Sequence, residues 1–456
     1  MKEYDVIVIG SGSGLTIVQN ALNQGLNVAL IDKGPVGGTC LNVGCIPSKM
    51  LIYPADIIAQ IKEAKKLGVT AEVADIDFNL IMERMRELVT EDSDQIRESL
   101  KNTKDLDFYE VEAYFTDEYT VQVDNTSISG EKIFLVSGAR PLIPPIAGIE
   151  DIDYLTNETI LNLKEKPESM VIIGGGYIAA EYGHFLAAMG VDVTILQRGS
   201  RLVPEEEPDI SKVLQEEMQK RMSIYTDTEA VKIKKGRTYT VVGENTKTNK
   251  KVEVDCQHVL VAAGRKSNAD LLQVENTGVK TDKKGYIKVN EYLETSKENI
   301  WAFGDAIGKE MFRHVANREA DIAWHNSTHK DKDKVKMDYQ ATPHAVFSHP
   351  QIASVGLTEK EAQKHHKILV GVAHYSDVAK GIAMREEKGF AKAIVDRKNY
   401  KILGFHIVGP FAPILIQEVV NAMAVGGDLQ YIGQPMHIHP ALPEVVVRAF
   451  SYLREV

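Results

Sequence analysis

The sequence predicts an α/β fold: two βαβ units of one design, followed by a C-terminal α+β region. Three observations carry this. Residues 6–34 and 171–199 share one plan: a short β-branched strand, a glycine-rich turn, an alanine- and leucine-type helix, then Gly-X-X-Val and a second strand. The strands of both units are continuous apolar runs, as expected for strands buried on both faces of a parallel sheet. From Tyr339 onward the chain mixes strand-like runs (GFAKAIVD, ILGFHIVG) with the helix-like APILIQEVVNAMAVG.

Bulk properties narrow the function. With 456 residues the chain is long enough for about three domains. A 44% hydrophobic and 26% charged composition supplies several cores. The formal charge of −11 has the wrong sign for a nucleic-acid binder. The one dense basic stretch, HKDKDKVK at residues 329–336, alternates with aspartates and reads as a solvated linker. A strand begins at Tyr4 with no basic segment and cleavage site before it, and no apolar run reaches the ~18 residues of a membrane span. The expected compartment is therefore cytoplasmic, with no membrane partner. Three cysteines cannot form a disulfide scaffold, and a close pair in such a chain points to redox catalysis.

The first turn, GSGSGL, places Gly10, Gly12 and Gly14 between a strand and a helix. Glycines here let the backbone approach a pyrophosphate whose charge the helix N-terminus stabilises. Asp32 ends the second strand, where a carboxylate accepts ribose hydroxyls. This is the pattern of a Rossmann-like dinucleotide-binding unit, although Leu15 occupies the usual third glycine position. GGTCLNVGCIPSKM follows at once, bringing Cys40 and Cys45 to the start of a helix. A helix N-terminus favours the thiolate, the form that attacks disulfides. A structural disulfide or half of a metal site are the competing readings, and no further ligands at metal spacing stand near the pair. Beyond it, residues 46–66 read as a helix kinked at Pro54, and residues 78–102 as a helix with polar Ser93 and Asp94 in its middle.

In the second unit Gly174, Gly176 and Ala179 form the phosphate turn, in GGGYIA. Gln197 stands where the first unit has Asp32, with Arg198 and Arg201 close behind. A carboxylate there would repel a 2′-phosphate, whereas a neutral residue beside two arginines suits one. The expectation is NADPH, unless both arginines are merely solvated. Cys256, in VDCQHVLVAAG, reads as buried core. Near the C-terminus, HIHPALPEVV sets His439 and Glu444 in a short span. Imidazole can deprotonate an attacking thiol and protonate a leaving one at neutral pH, and a carboxylate on its other nitrogen fixes the tautomer.

With these motifs the chain resembles, along essentially its whole length, the flavoprotein pyridine nucleotide-disulfide oxidoreductases, among them dihydrolipoamide dehydrogenase, glutathione reductase, mycothione reductase and mercuric reductase; GGTCLNVGCIPSK is the most specific element. The resemblance implies that the first site holds FAD and that Asp305, in ENIWAFGD, meets its ribityl chain. It implies that Lys49 lies near the flavin and pairs with Glu181, that Cys45 is the flavin-side thiol, and that Cys40 is the interchange thiol. Lys33, Gly38, Thr39, Gly138 and Gly264 complete the cofactor-binding candidates. The implied division is an FAD-binding domain at 1–147 and 265–337, an NAD(P)-binding domain at 148–264, and a dimerisation domain at 338–456. In such enzymes the histidine–glutamate pair serves the cysteines of a partner subunit, so a homodimer is implied. The absence of a cysteine after Cys256 speaks against mercury or thioredoxin as substrate. The lack of a third glycine in GSG, the Lys49-Met50 pair and HPALPEVV favour a mycothione reductase-like enzyme that reduces a small disulfide with NADPH. The alternative is a dihydrolipoyl dehydrogenase that oxidises dihydrolipoamide with NAD.

Overall fold

The computed structural model describes all 456 residues, which divide into two compact units. The first comprises residues 1–48, 82–142 and 264–338; the second comprises 49–81, 143–263 and 339–456.

The first unit is built on a twisted sheet. Strands Leu106–Tyr109, Val28–Ile31, Lys2–Ile9 and Thr126–Leu135 lie side by side in that order and run parallel. Val6, Ile7, Val8, Val28, Ala29 and Leu30 are fully buried, which explains why these strands read as unbroken apolar runs. Ile300–Ala302 pairs with the far end of Thr126–Leu135, and Thr120–Val123 and Ala113–Asp117 extend the sheet antiparallel. The helix Gly14–Asn23 packs back on the sheet through Ile17, Val18 and Ala21.

The second unit repeats this order on a smaller scale. Ser223–Tyr225, Asp192–Leu196, Ser169–Ile173 and His258–Val261 form a four-stranded parallel sheet. Helix Tyr177–Ala188 is almost wholly buried, so its sequence is apolar nearly all round, Glu181 and His184 excepted. A three-stranded antiparallel sheet, Thr228–Lys235, Tyr239–Asn245 and Lys251–Cys256, follows. Cys256 is buried, as its apolar surroundings in the sequence predict. The C-terminal part is a six-stranded antiparallel sheet whose two central strands, Phe390–Asp396 and Ile402–Val408, are buried at every position.

The correspondence of the two βαβ units extends to single atoms. Gly10 N–H donates to the Ile31 carbonyl at 2.8 Å, and Gly174 N–H to the Leu196 carbonyl at 2.9 Å. Both glycines have positive φ, 115° and 114°, and a Cβ on either would lie 2.2 Å from a carbonyl oxygen, that of Val136 or Ala262. Only glycine can sit at these two places.

Four regions carry detail beyond the sequence pattern. The helix Cys45–Glu63 continues through Pro54 over all 19 residues. The C-terminal apolar segment forms two helices, Ala412–Leu415 and Gln417–Ala424, because Ile416 ends one and precedes the other. The basic linker is exposed at nearly every residue, as expected of a solvated segment, and its end is tied down: Lys334 pairs with Glu294 and Asp331, Lys336 with Glu291, and the Val335 backbone exchanges two hydrogen bonds with the Asn326 amide. Ser93 lies in the middle of the helix Phe78–Lys101, as read from the sequence. It is buried and donates to the Val36 carbonyl at 2.9 Å, bracing the loop before the cysteines. No helix is long and apolar enough to cross a membrane.

Candidate active site

The first glycine turn and the cysteine segment are one structure. Asp32 receives the Ser11 N–H at 2.6 Å, the Ser11 hydroxyl at 2.5 Å and the Gly34 N–H at 2.9 Å. Ser11 Oγ in turn accepts from the Gly37 N–H at 3.0 Å. Gly38 presses against Gly12 so closely that a Cβ on it would stand 2.7 Å from the Gly12 Cα. Asn42, buried between the cysteines in sequence, donates to the carbonyls of Pro35, Val36 and Gly38. Gly14 packs on Val8, while a Cβ placed on Gly12 would meet nothing closer than 3.9 Å. Thr39 accepts the Val43 N–H through its carbonyl.

Both cysteines are thiols. Cys40 lies in the short helix Gly38–Asn42, and Cys45 is the first residue of Cys45–Glu63. The expectation that one helix N-terminus lowers both thiols therefore needs correction for Cys40. Its thiol is pushed well up, first by its hydrogen bond with Cys45 and then by burial, with the Arg313 charge opposing. Arg313 also reaches the Gly37 carbonyl at 3.5 Å and lies over Gly12.

Around this turn the first unit holds unmatched polar atoms. Asp305 is buried, and desolvation pushes its carboxyl up; its charged neighbour is Arg265, whose Nε is 3.5 Å away without a hydrogen bond. Ser137 Oγ is buried and has no partner. Gly138 adopts positive φ and accepts the Asn268 N–H, and Gly264 has positive φ and accepts the Leu142 N–H. Lys33 is exposed and ion-paired with Glu112 at 3.1 Å.

In the second turn nothing lies within 4 Å of a Cβ placed on Gly176, and Ala179 is fully buried. Gln197 packs over Gly175 and donates to the Arg201 carbonyl at 3.1 Å. Arg198 is 76% exposed, 3.6 Å from Glu229, an ion pair of the kind worth little in water. Arg201 does not stand beside it as a second free cation. Its guanidinium turns into its own loop, donating to the Pro204 carbonyl at 2.7 Å and approaching that of Glu206 at 3.4 Å.

Lys49 and Glu181 meet, with Nζ 2.9 and 2.8 Å from the two carboxylate oxygens. Phe347 contributes its N–H to Glu181 at 3.0 Å and its ring beneath the ammonium at 4.4 Å. His439 Nδ1 is 2.9 Å from Glu444 Oε1, and the other oxygen accepts the Ala441 N–H at 3.0 Å. These two bonds hold the Glu444 carboxyl below its usual range. They fix the Nδ1–H tautomer, leaving Nε2 of the 72% exposed imidazole to face outward. His437 is engaged elsewhere, with Glu418 at 2.9 Å.

Sequence reasoning missed Asn42, Arg313 and the Phe347 N–H. Asn42 had a local signal, an amide between two cysteines in a glycine-rich loop. The other two act across long sequence separations and had none.

These arrangements match known proteins. Residues 4–320 match the family described as pyridine nucleotide-disulphide oxidoreductase, and residues 342–450 match its dimerisation domain. The chain is 34% identical to mycothione reductase of Mycobacterium tuberculosis over the full length of both. It is 33% identical to a mercuric reductase of Staphylococcus aureus, covering 93% of this chain and 78% of that one. It is 30% identical to dihydrolipoyl dehydrogenase of Bacillus subtilis, covering 98% and 97%. Among solved structures, the HOCl-induced flavoprotein disulfide reductase RclA from Escherichia coli, in a Cu(II) complex, superposes with a TM-score of 0.87 at 27% identity over 99% of each chain. The chain thus belongs to the pyridine nucleotide-disulphide oxidoreductase family, FAD-dependent enzymes that use NAD(P)H and act on sulfur groups.

Proposed function

We propose that the protein is an NADPH-dependent reductase of a low-molecular-weight disulfide, working as a homodimer through the Cys40–Cys45 pair. One observation carries the reading: the dithiol segment is built onto the backbone of a dinucleotide turn, through Ser11, Asp32 and Gly37 and through the Gly12–Gly38 contact. A molecule lying on that turn would lie against the segment that leads into the two cysteines.

The residues fit FAD. Gly10, Gly12 and Gly14 would take the pyrophosphate, Asp32 the ribose, and the buried Asp305 the ribityl hydroxyls, with Lys33, Gly38, Thr39 and Gly138 around them. FAD, when bound, supplies two-electron transfer between the nicotinamide and the cysteine pair. Gly174, Gly176, Ala179 and Gly264 would seat the nicotinamide nucleotide, with Gln197 and Arg198 at its adenosine 2′ position and Arg201 shaping the loop. Lys49, held by Glu181, places a fixed positive charge one helical turn after Cys45, the thiol on the flavin side.

The sulfur steps balance. His439 Nε2 takes the Cys40 proton, and the Cys40 thiolate attacks the substrate disulfide, giving a mixed disulfide and one leaving thiolate that His439 protonates. Cys45 then gives up its proton and attacks the Cys40 sulfur, closing the Cys40–Cys45 disulfide as the second thiolate leaves and is protonated. Glu444 orients the imidazole and stabilises its charged form. In the homodimer the pair serves the cysteines of the second copy.

Support for a small disulfide comes from the full-length similarity to mycothione reductase, and support for NADPH from the uncharged Gln197 beside the exposed Arg198. The decisive assay crosses NADPH and NADH with dihydrolipoamide, lipoamide and a set of small disulfides. NADPH-linked reduction of one of the disulfides is expected to be fastest; rapid NAD-linked oxidation of dihydrolipoamide would overturn the proposal. In the same assay Arg198→Ala should weaken NADPH relative to NADH by ~1–3 kcal/mol, the loss of one charge-assisted hydrogen bond. Equal effects on both nucleotides would remove Arg198 from recognition.

Cys40→Ser and Cys45→Ser should each abolish disulfide turnover while the purified protein stays yellow. A colourless variant would point to a structural role for that sulfur. His439→Ala should slow turnover by ~10² to 10⁴, the usual range for general acid–base help. A loss below tenfold, read from steady-state rates at neutral pH, would exclude it as the proton carrier.

A further inference from the structure

Along the helix Cys45–Glu63 three charged residues stand seven apart: Lys49, Asp56 and Glu63. Seven residues make about two turns, so the three share one face. Each meets a partner. Lys49 binds Glu181, Asp56 Oδ1 lies 3.0 Å from His184 Nε2, and Glu63 Oε1 lies 2.7 Å from His349 Nε2. Glu181 and His184 are three apart on helix Tyr177–Ala188, so the first two rungs join the same pair of helices.

Arg221 completes the set. Its Nη1 is 2.9 Å from His184 Nδ1, and its Nη2 donates to the His349 carbonyl at 2.6 Å. A guanidinium only donates, so Nδ1 of His184 is the acceptor, and Nε2 carries the proton it gives to Asp56. His184 is fully buried and its ring stacks on His349 at 5.7 Å. Burial pushes its pKa down, consistent with a neutral ring in one tautomer.

We propose that His184 is a positioning residue: with Asp56 and Arg221 it sets the register of the cysteine-bearing helix against the nucleotide helix, and so keeps Lys49 on Glu181. Lys49 cannot set that register itself. Its four-carbon stem is about one-third exposed and flexible, so the ion pair by itself does not resist a slide of the helix, and a displaced helix lets the ammonium swing off Glu181 into solvent. The His184 ring has no such slack, being fixed by a donor, an acceptor and a stacked ring. A shift of Asp56 by a fraction of an ångström strains or breaks its bond.

The inference rests on the proposed placement of Lys49 beside the flavin, and its test is independent of substrate and nucleotide. The holoenzyme is treated briefly with an amine-acylating reagent, and modification of Lys49 is counted by mass spectrometry. His184→Leu removes both hydrogen bonds while keeping bulk, and should raise the Lys49 labelling rate by about tenfold, the equivalent of one buried hydrogen bond. It should lower kcat while leaving the nucleotide KM within about twofold, since the nucleotide contacts are untouched. His184→Gln, whose amide can still donate to Asp56 and accept from Arg221, should restore protection. Asp56→Ala, at a partly exposed position, should reproduce the labelling if His184→Leu does not fold. Unchanged Lys49 protection in folded His184→Leu, or in Asp56→Ala where that variant alone folds, sinks the proposal. A different preferred disulfide or nucleotide leaves the labelling result standing.

Discussion

The carboxylate of Glu181 is the constraint on which the second unit turns. Its side chain is only 6% exposed, and an anion taken out of water must be matched or it destabilises the fold by several kcal/mol. Two groups from two stretches of chain supply the match, the Lys49 ammonium and the Phe347 N–H, with the Phe347 ring beneath the ammonium. The helix that begins at Cys45, the helix that follows the second glycine turn and the segment after the strand Pro343–Val346 thus converge on one charge. Rotating any of them strands that charge. The same logic explains why the nucleotide helix is apolar nearly everywhere yet keeps Glu181 and His184: both polar side chains face neighbours that complete their hydrogen bonds.

The two βαβ units show how one local solution serves two purposes. At the end of the second strand they agree again, Asp32 N–H reaching the Tyr109 carbonyl at 3.0 Å and Gln197 N–H that of Tyr225 at 2.9 Å. They part at the next residues. In the first unit Asp32 is tied to Ser11, and the chain folds back across the turn so that the cysteines follow. In the second, Gln197 closes on its own loop and Arg198 is left in solvent. The division of labour is therefore set by the residues after each second strand together with Ser11, whose counterpart in the second turn is Gly175.

What was legible in the sequence was local. Glycine spacing marks both turns because a positive φ and a carbonyl at 2.2 Å admit no other residue. The cysteines and the His439–Glu444 pair each lie within a handful of residues. The Lys49–Glu181 pair spans 132 positions and came only from resemblance, and the support of Ser93 for the cysteine loop spans 57. Contacts of that range leave no pattern in a single sequence, which is also why Arg313, 276 residues from Gly37, went unnoticed. Arg201 misled for a different reason. An arginine near a nucleotide turn can face a ligand or cap nearby carbonyls, and the choice depends on how the loop bends at Pro204, which residue type does not reveal.

The thiol chemistry ties these parts together. In the dithiol state Cys40 shares a hydrogen bond with Cys45 and is partly buried, and both effects favour the protonated sulfur. A protonated thiol is a poor nucleophile, so a site of this kind cannot rely on spontaneous ionisation at neutral pH. Arg313 opposes the shift without cancelling it. Under the proposed function the remaining source of activation is a base, and the geometry of His439 suits one: its Nδ1 is occupied by Glu444 and its Nε2 faces outward on an exposed ring. An imidazole so oriented is open to a thiol presented by a second copy of the chain, which is how the proposed homodimer would enter the chemistry.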